Sequence, residues 1–219
     1  MRDNARFLSG LYGISDEILT PFSTLSHQVQ EAIAGGMKIF QFRDKNSPDK
    51  DIVEIILHLM ELCAKSDVLF VLNDRIDLAI ALGVPALHIG KDDGDLRFVR
   101  KRFGGILGVS SYGDLARAQR AESSGADYVA FGAMFPSPTK PKAPCVGAEI
   151  LQRAEESLKI PICAIGGISK ENIRVLKNAD MCAVISALWN GNPRENAEIL
   201  SKEFEAGKSQ NLARSSAQP

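Results

Sequence analysis

The 219-residue sequence predicts a single (β/α)8 barrel, and three observations point there. Eight short runs rich in Val, Ile, Leu and Phe recur between residues 11 and 187. They are continuously apolar, as strands covered on both faces must be, which indicates a parallel sheet. Segments with helix-start signals lie between them, and the strand starts recur roughly every 24 residues, compact for a β/α unit but workable with short helices.

In order, the runs are Leu11–Ile14, Lys38–Arg43, Val68–Asn73, Ala86–Gly90, Gly105–Ser110, Tyr128–Gly132, Pro161–Gly167 and Met181–Ala187. Ser47-Pro48 precedes a helical stripe of Ile52, Ile55, Ile56, Leu59 and Leu62. Asp114 opens a segment through Glu122, Ser169 one through Leu176, and Asn192-Pro193, followed by Glu195, starts the last. A doubly wound open sheet shares this alternation, but no Gly-x-Gly-x-x-Gly follows the first strand. No linker or composition shift interrupts residues 8–206, so residues 1–206 read as one barrel domain. Gly207–Pro219, polar and poor in apolar side chains, reads as a disordered tail.

With 26 Lys and Arg against 27 Asp and Glu, the net charge of −1 argues against a dedicated nucleic-acid binder and leaves room for a local cationic pocket. The 45% hydrophobic and 24% charged content is that of a globular chain with a sizeable core. No apolar run approaches the ~18 residues of a membrane span, and Met1–Phe7 is polar, without the apolar stretch of a secretion signal. Cys63, Cys145, Cys163 and Cys182 form no CxxC pair, and Cys163 and Cys182 fall in strand-like runs. A cytoplasmic protein with reduced thiols and no membrane partner is expected.

In such a barrel the chemistry sits at the C-terminal ends of the strands, so the polar residues closing each run are the candidates. The second run ends in Gln41-Phe42-Arg43-Asp44-Lys45, the third in Asn73-Asp74-Arg75, the fourth in His88-Ile89-Gly90-Lys91-Asp92-Asp93 and the fifth at Ser110. The sixth leads into Ser137-Pro138-Thr139-Lys140. Strand alternation turns Gln41 and Arg43 inward together and Phe42 outward. Arg43, Lys45 and Lys140, three cations in a near-neutral protein, suit an anionic substrate such as a diphosphate; alternatively Arg43 and Lys45 pair with Asp44, Asp74 or Asp93 as a structural network. Asp74 and Asp93, on neighbouring strand ends, could hold one Mg2+ while leaving positions for water and phosphate oxygens. Asp92 reads better as a helix cap or ion-pair partner, and Arg75 as a loop buttress. His88 is either a hydrogen-bonding group for a heteroaromatic substrate or a satisfied core histidine. Gly166-Gly167 after the seventh run and Ile185-Ser186 after the eighth occupy the two loops that often present backbone N–H groups to a phosphate, although a glycine pair also suits a tight turn.

LYGIS at 11–15, QFRDK at 41–45, NDR at 73–75, HIGKDD at 88–93, GVS at 108–110, GADYVAFGAMFPSPTK at 125–140, AIGGI at 164–168 and VISA at 184–187, taken in register, resemble thiamine phosphate synthases. The resemblance implies coupling of hydroxymethylpyrimidine diphosphate with hydroxyethylthiazole phosphate, small-molecule substrates that yield thiamine phosphate and diphosphate. It implies that Gln41, His88 and Ser110 contact the pyrimidine with Tyr12 against its ring, that Arg43, Lys45, Asn73 and Lys140 bind the diphosphate, and that Asp74 and Asp93 hold Mg2+. Ser137 and Thr139 then approach the thiazole, and Gly167, Ile185 and Ser186 its phosphate. Arg43, Lys45, Lys140 and Ser110 are the residues expected to carry the chemistry. Asp44, Lys91 and Ser137 stand where the family more often has Glu, Gln and Thr. A thiazole phosphate tautomerase on the same scaffold and a non-catalytic sensor of a thiamine precursor are the rival readings.

Overall fold

A computed structural model describes residues 7–136 and 144–215. Eight parallel strands close into one barrel in sequence order: β1 Gly10–Ile14, β2 Ile39–Phe42, β3 Leu69–Asn73, β4 Ala86–Ile89, β5 Ile106–Tyr112, β6 Tyr128–Phe131, β7 Ile162–Ile165 and β8 Met181–Val184. Each lies within one of the apolar runs or overlaps it closely. β8 returns to pair with β1, Gly10 opposite Met181 and Gly13 opposite Val184, so the sheet has no edge.

Around the barrel run α1 Phe22–Ala34, α2 Asp49–Lys65, α3 Ile76–Leu82, α4 Leu96–Arg102, α5 Leu115–Ser123, α6 Glu149–Ser157, α7 Ser186–Trp189 and α8 Pro193–Ser215. The stripe on α2 buries Ile52, Ile56, Leu59 and Cys63, one residue per turn along a single face. α5 is capped by Asp114, whose carboxylate accepts from Arg117 N, as its position predicts. Asn192 Oδ1 accepts from the N–H groups of Arg194 and Glu195 and so caps α8. After β7 the chain makes only a 3-10 turn, Ile173–Leu176, and Ser169 does not cap it: its hydroxyl goes to Glu171.

The core has two layers. Tyr12, Ile14, Ile39, Leu69, Val71, Ala86, Ile106, Tyr128, Ala130, Cys163, Met181 and Ala183 fill the inside of the barrel. A larger cluster, including Phe40, Phe42, Leu72, Leu107, Val129 and Trp189, packs between sheet and helices. Alternation assigns each strand residue to one layer or the other, with Gln41 inside and Phe42 outside as expected. Among the described residues no helix is long and apolar enough to cross a membrane.

The expected disordered tail is corrected at its start, because α8 continues through residues 207–215. Gly207 rides directly on the 3-10 turn, where a Cβ would sit 2.4 Å from the Arg174 carbonyl, and the neighbouring Phe204 is 1% exposed. Composition hides this, because one glycine-mediated contact replaces an apolar stripe. Residues 216–219 lie outside the described residues. Phe204→Ala should cost about 3–5 kcal/mol in urea unfolding, the usual loss for emptying a buried phenylalanine site. A loss below ~1 kcal/mol would show that the end of α8 does not close the outer layer.

Candidate active site

The inside of the barrel mouth is crossed by one chain of hydrogen bonds contributed by five strands. Gln41 Nε2 on β2 donates to Tyr12 Oη on β1 at 2.6 Å, and Tyr12 Oη lies 2.9 Å from Tyr128 Oη on β6. Tyr128 Oη is 2.9 Å from His88 Nδ1 on β4, and His88 Nε2 is 2.9 Å from Ser110 Oγ on β5. Tyr12 and Tyr128 are sealed from solvent, and Gln41 and His88 are buried. Gly108 makes room for the Tyr128 ring: the two are paired in register, and a Cβ on Gly108 would sit 2.0 Å from the ring. A register shift between Ser110 and Tyr112 leaves Ser110 facing His88.

Burial pushes the His88 imidazole down to about 4, although the nearby Asp74 carboxylate opposes the shift. Burial likewise raises Tyr12 and Tyr128 well above the usual phenol range. The chain is therefore neutral at physiological pH, and His88 is a satisfied buried histidine with both ring nitrogens engaged, while its partner Ser110 lines the cavity.

Charged groups collect at the ends of β2, β3 and β4. Arg43 is held by Ser15, whose Oγ accepts from Arg43 N at 2.7 Å and donates to Arg43 O at 3.2 Å. Among the described residues no carboxylate pairs with the half-buried Arg43 guanidinium. Lys45 does pair, with its Nζ 3.1 Å from Asp74 Oδ2, but at 54% side-chain exposure such a bridge contributes only about 0–1 kcal/mol and exchanges readily. Asp44 turns away into the loop. Burial would raise its pKa, but the backbone and hydroxyl of Ser47, the backbone of Asn46 and the Arg75 guanidinium more than offset that and hold it low. Arg75 spans Asp44, Ser47 and Asp49, the buttress its position suggests.

Asp74 has φ +64, a left-handed backbone that aspartate tolerates better than most residues, and Asn73 beside it is buried. Asp93 Oδ2 accepts from Gly90 N at 2.6 Å. Its pKa is raised by burial, against the pull of Gly90 N–H, and further by the facing Asp74 carboxyl, with Lys45 partly compensating. Two carboxylates brought together in this way suit a hard divalent cation that keeps water and phosphate oxygens as its other ligands. No cluster of three or more His, Cys, Asp or Glu forms a candidate metal site among the described residues. Asp92 is exposed, and the cap of α4 is Asp95, so Asp92 is not the cap its position suggested.

On the opposite side, Gly166 and Gly167 adopt φ +99 and +65. A Cβ at Gly167 would lie 2.5 Å from Phe135 O and 2.6 Å from Pro136 O, so the glycine is required by the turn and by close approach of the β6 loop. Asn172 fixes this turn, donating to Gly167 O and accepting from Ser169 N. Ile185 precedes α7 and Ser186 opens it, where the first N–H groups have no intrahelical acceptor. A cavity of about 630 Å³ lies between these loops, and Ser110, Gly167, Ile185 and Ser186 are on its wall with apolar Ala130, Ile165 and Ala183.

The site residues thus fall into three groups: Tyr12, Gln41, His88 and Ser110 in one hydrogen-bonded chain, Lys45, Asp74 and Asp93 in one charged cluster beside Arg43 and Asn73, and Gly167, Ile185 and Ser186 on the cavity. Ser137, Thr139 and Lys140 lie outside the described residues. Sequence reading missed Tyr128, Ser15 and Asn172 as members of the site. Tyr128 had a signal, a polar-tipped aromatic opening a strand two positions from the inward-facing Ala130.

The buried His88 gives stability a pH dependence of definite sign. In the unfolded chain it titrates near 6.5 and in the barrel near 4, so between those values the unfolded state binds more protons. Its contribution is complete above pH 6.5 and is lost as pH falls toward 4, by about 3 kcal/mol. The groups facing it are Asp74, Tyr128 and Ser110. Urea unfolding between pH 7.5 and 4.5 should show this loss in the parent and a flatter profile in His88→Gln; parallel profiles would refute it.

Known proteins resemble this chain in sequence and fold. The thiamine monophosphate synthase family matches residues 11–188. A thiamine-phosphate synthase of Wolinella succinogenes is 47% identical over 199 residues, 88% of this chain and 92% of the relative. One of Acidithiobacillus ferrooxidans is 41% identical over 204 residues, 90% of this chain and 94% of the relative. Among solved structures, a thiamine phosphate pyrophosphorylase from Pyrococcus furiosus superposes with a TM-score of 0.85 at 36% identity, covering 94% of this chain and 99% of its own. The barrel, its strand-end residues and these likenesses agree: the chain belongs to the thiamine monophosphate synthase family of transferases.

Proposed function

We propose that the barrel couples hydroxymethylpyrimidine diphosphate to hydroxyethylthiazole phosphate by a dissociative substitution. The observation that carries this reading is the meeting, at one barrel mouth, of two chemically different groups that each suit an anion. One is a cationic cluster at the ends of β2 and β3, the other a glycine turn and helix start after β7 and β8. Two anionic substrates need two such sites, whereas a tautomerase acting on the thiazole phosphate alone would leave Arg43, Lys45, Asp74 and Asp93 without a role.

In this reading Gln41, His88 and Ser110 orient the aminopyrimidine, with Tyr12 against its ring and bonded to Gln41. The carbon–oxygen bond to the diphosphate breaks first, its electron pair leaving with the diphosphate while the aminopyrimidine spreads the positive charge. Arg43, Lys45, Asn73 and Lys140 receive the diphosphate. Fixed charges facing a leaving group strengthen their hold as its charge grows, and this lowers the barrier without a covalent intermediate on the protein. Gly167, Ile185 and Ser186 hold the thiazole phosphate, with Ser137 and Thr139 near the ring, so the thiazole nitrogen donates its lone pair into the new carbon–nitrogen bond. The apolar wall of Ala130, Ile165 and Ala183 keeps water from capturing the cation instead. No proton transfer to the protein is required. Asp74 and Asp93 would hold Mg2+, which when bound neutralises charge on the diphosphate. The buried free thiols of Cys63, Cys163 and Cys182 suit a cytoplasmic setting.

Diphosphate release with both substrates and Mg2+ tests the reading; binding of either substrate without turnover would favour a sensor instead. Arg43→Gln should lower kcat by about 10²- to 10³-fold with the fold intact, the usual effect of removing one group that meets developing charge. Activity within twofold of the parent would remove Arg43 from the chemistry. Asp74→Asn and Asp93→Asn should each shift the Mg2+ dependence to higher concentration, while Asp92→Asn follows the parent. Full turnover in excess chelator, or a larger loss at Asp92 than at Asp93, would overturn the metal assignment.

A further inference from the structure

We infer that Tyr128 is a positioning residue that gives the buried hydrogen-bond chain a single direction, so that Gln41 presents a carbonyl and Ser110 an O–H to the ligand. The inference rests on the reading that Gln41 and Ser110 receive a substrate at the mouth, and it adds the polarity of that recognition and the residue that sets it.

The direction follows from which atoms can donate. An amide nitrogen has no lone pair to offer, so Gln41 Nε2 donates to Tyr12 Oη. The Tyr12 proton then has one acceptor within reach, Tyr128 Oη. Tyr128 in turn passes its own proton to His88 Nδ1, which must carry a lone pair there. A neutral imidazole with a bare Nδ1 bears its hydrogen on Nε2, and that hydrogen goes to Ser110 Oγ. The Ser110 proton is the one left over, and Ser110 lines the cavity.

With Gln41 Nε2 as the donor to Tyr12, the other protonation states of His88 leave a proton stranded. An imidazolium would donate from Nδ1 as well, and the Tyr128 hydroxyl, 0% exposed, would lose its acceptor. Among the described residues the one fully buried side-chain polar atom without a partner is Ser111 Oγ, so Gln41 Oε1 is not sealed in without a bond. An acceptor on β2 and a donor on β5 select a flat ring that offers an N–H on one side and a lone pair on the other. Reversing the chain would select the opposite pattern. Tyr128 decides between them because, among the described residues, its single hydroxyl is the only link between the Tyr12 half and the His88 half.

The test reads the histidine directly. His27 and His58 are exposed, so the His27→Gln, His58→Gln double variant of the full chain leaves one imidazole. Long-range 1H–15N correlation at pH 7.5 should show it as the neutral Nε2–H form. The Nδ1–H form or an imidazolium would overturn the inference whether or not the protein releases diphosphate, which keeps it separable from the functional reading. Tyr128→Phe removes one oxygen and keeps the ring. It should convert the signal to a mixture of tautomers and raise KM for the pyrimidine diphosphate at least tenfold, leaving KM for the thiazole phosphate within twofold. A retained single tautomer with parental kinetics, or equal rises in both KM values, would show that the hydroxyl only fills space.

Discussion

The site depends on the closure of β8 onto β1. Gly10, Leu11, Tyr12 and Gly13 lie beside Met181, Cys182, Ala183 and Val184, and this register brings the Ile185-Ser186 loop to the same rim as Arg43 and Asp74. A parallel strand cannot be joined to its neighbour by a tight turn, so every loop at this rim leads into a crossover. Closure makes those loops neighbours in a ring, and groups as distant in sequence as Gln41 and Ser186 come to share one mouth. Trp189 reinforces the seam, its indole N–H donating to Ile14 O across the β8–β1 junction at 2.6 Å.

Closure also forces a polarity problem, because the inside of a barrel this size is filled by side chains and excludes water. Much of the interior solves it with apolar groups such as Ile39, Val71, Ala86 and Met181. Among them the chain inserts Tyr12, Tyr128, Gln41 and His88 and satisfies them with one another. A buried polar group without a partner costs about 1–3 kcal/mol, so a connected chain is far less costly than the same groups placed singly. The arrangement stiffens the mouth because no member can turn without stranding its neighbour.

Much of this was legible in the sequence, for reasons visible in particular residues. Strands covered on both faces have continuous apolar runs, and all eight were readable from that alone. Polar residues at their ends were readable because a β/α barrel confines chemistry there. What sequence concealed were contacts between strands. Tyr128 looks like one more core aromatic until its register opposite Gly108 and its distance to His88 are known. Ser15 carries no signal of holding Arg43, 28 residues away, and Asn172 none of bracing the Gly167 turn. The continuation of α8 beyond residue 206 was hidden because a close approach at Gly207, instead of an apolar stripe, holds it.

The two sides of the mouth differ in stiffness, and the difference follows from what builds them. The turn at Gly166-Gly167 is held by backbone and by Asn172, with the β6 loop tied to it through Met134 N to Ile165 O at 2.9 Å and Phe135 N to Gly166 O at 3.0 Å. Such a turn is preorganised and would lose little freedom on binding an anion. The cationic side is made of long side chains, with Lys45 half in solvent and held by a weak, exchangeable bridge to Asp74. The barrel therefore sets a backbone-braced turn on one side of the mouth against long, exchangeable side chains on the other.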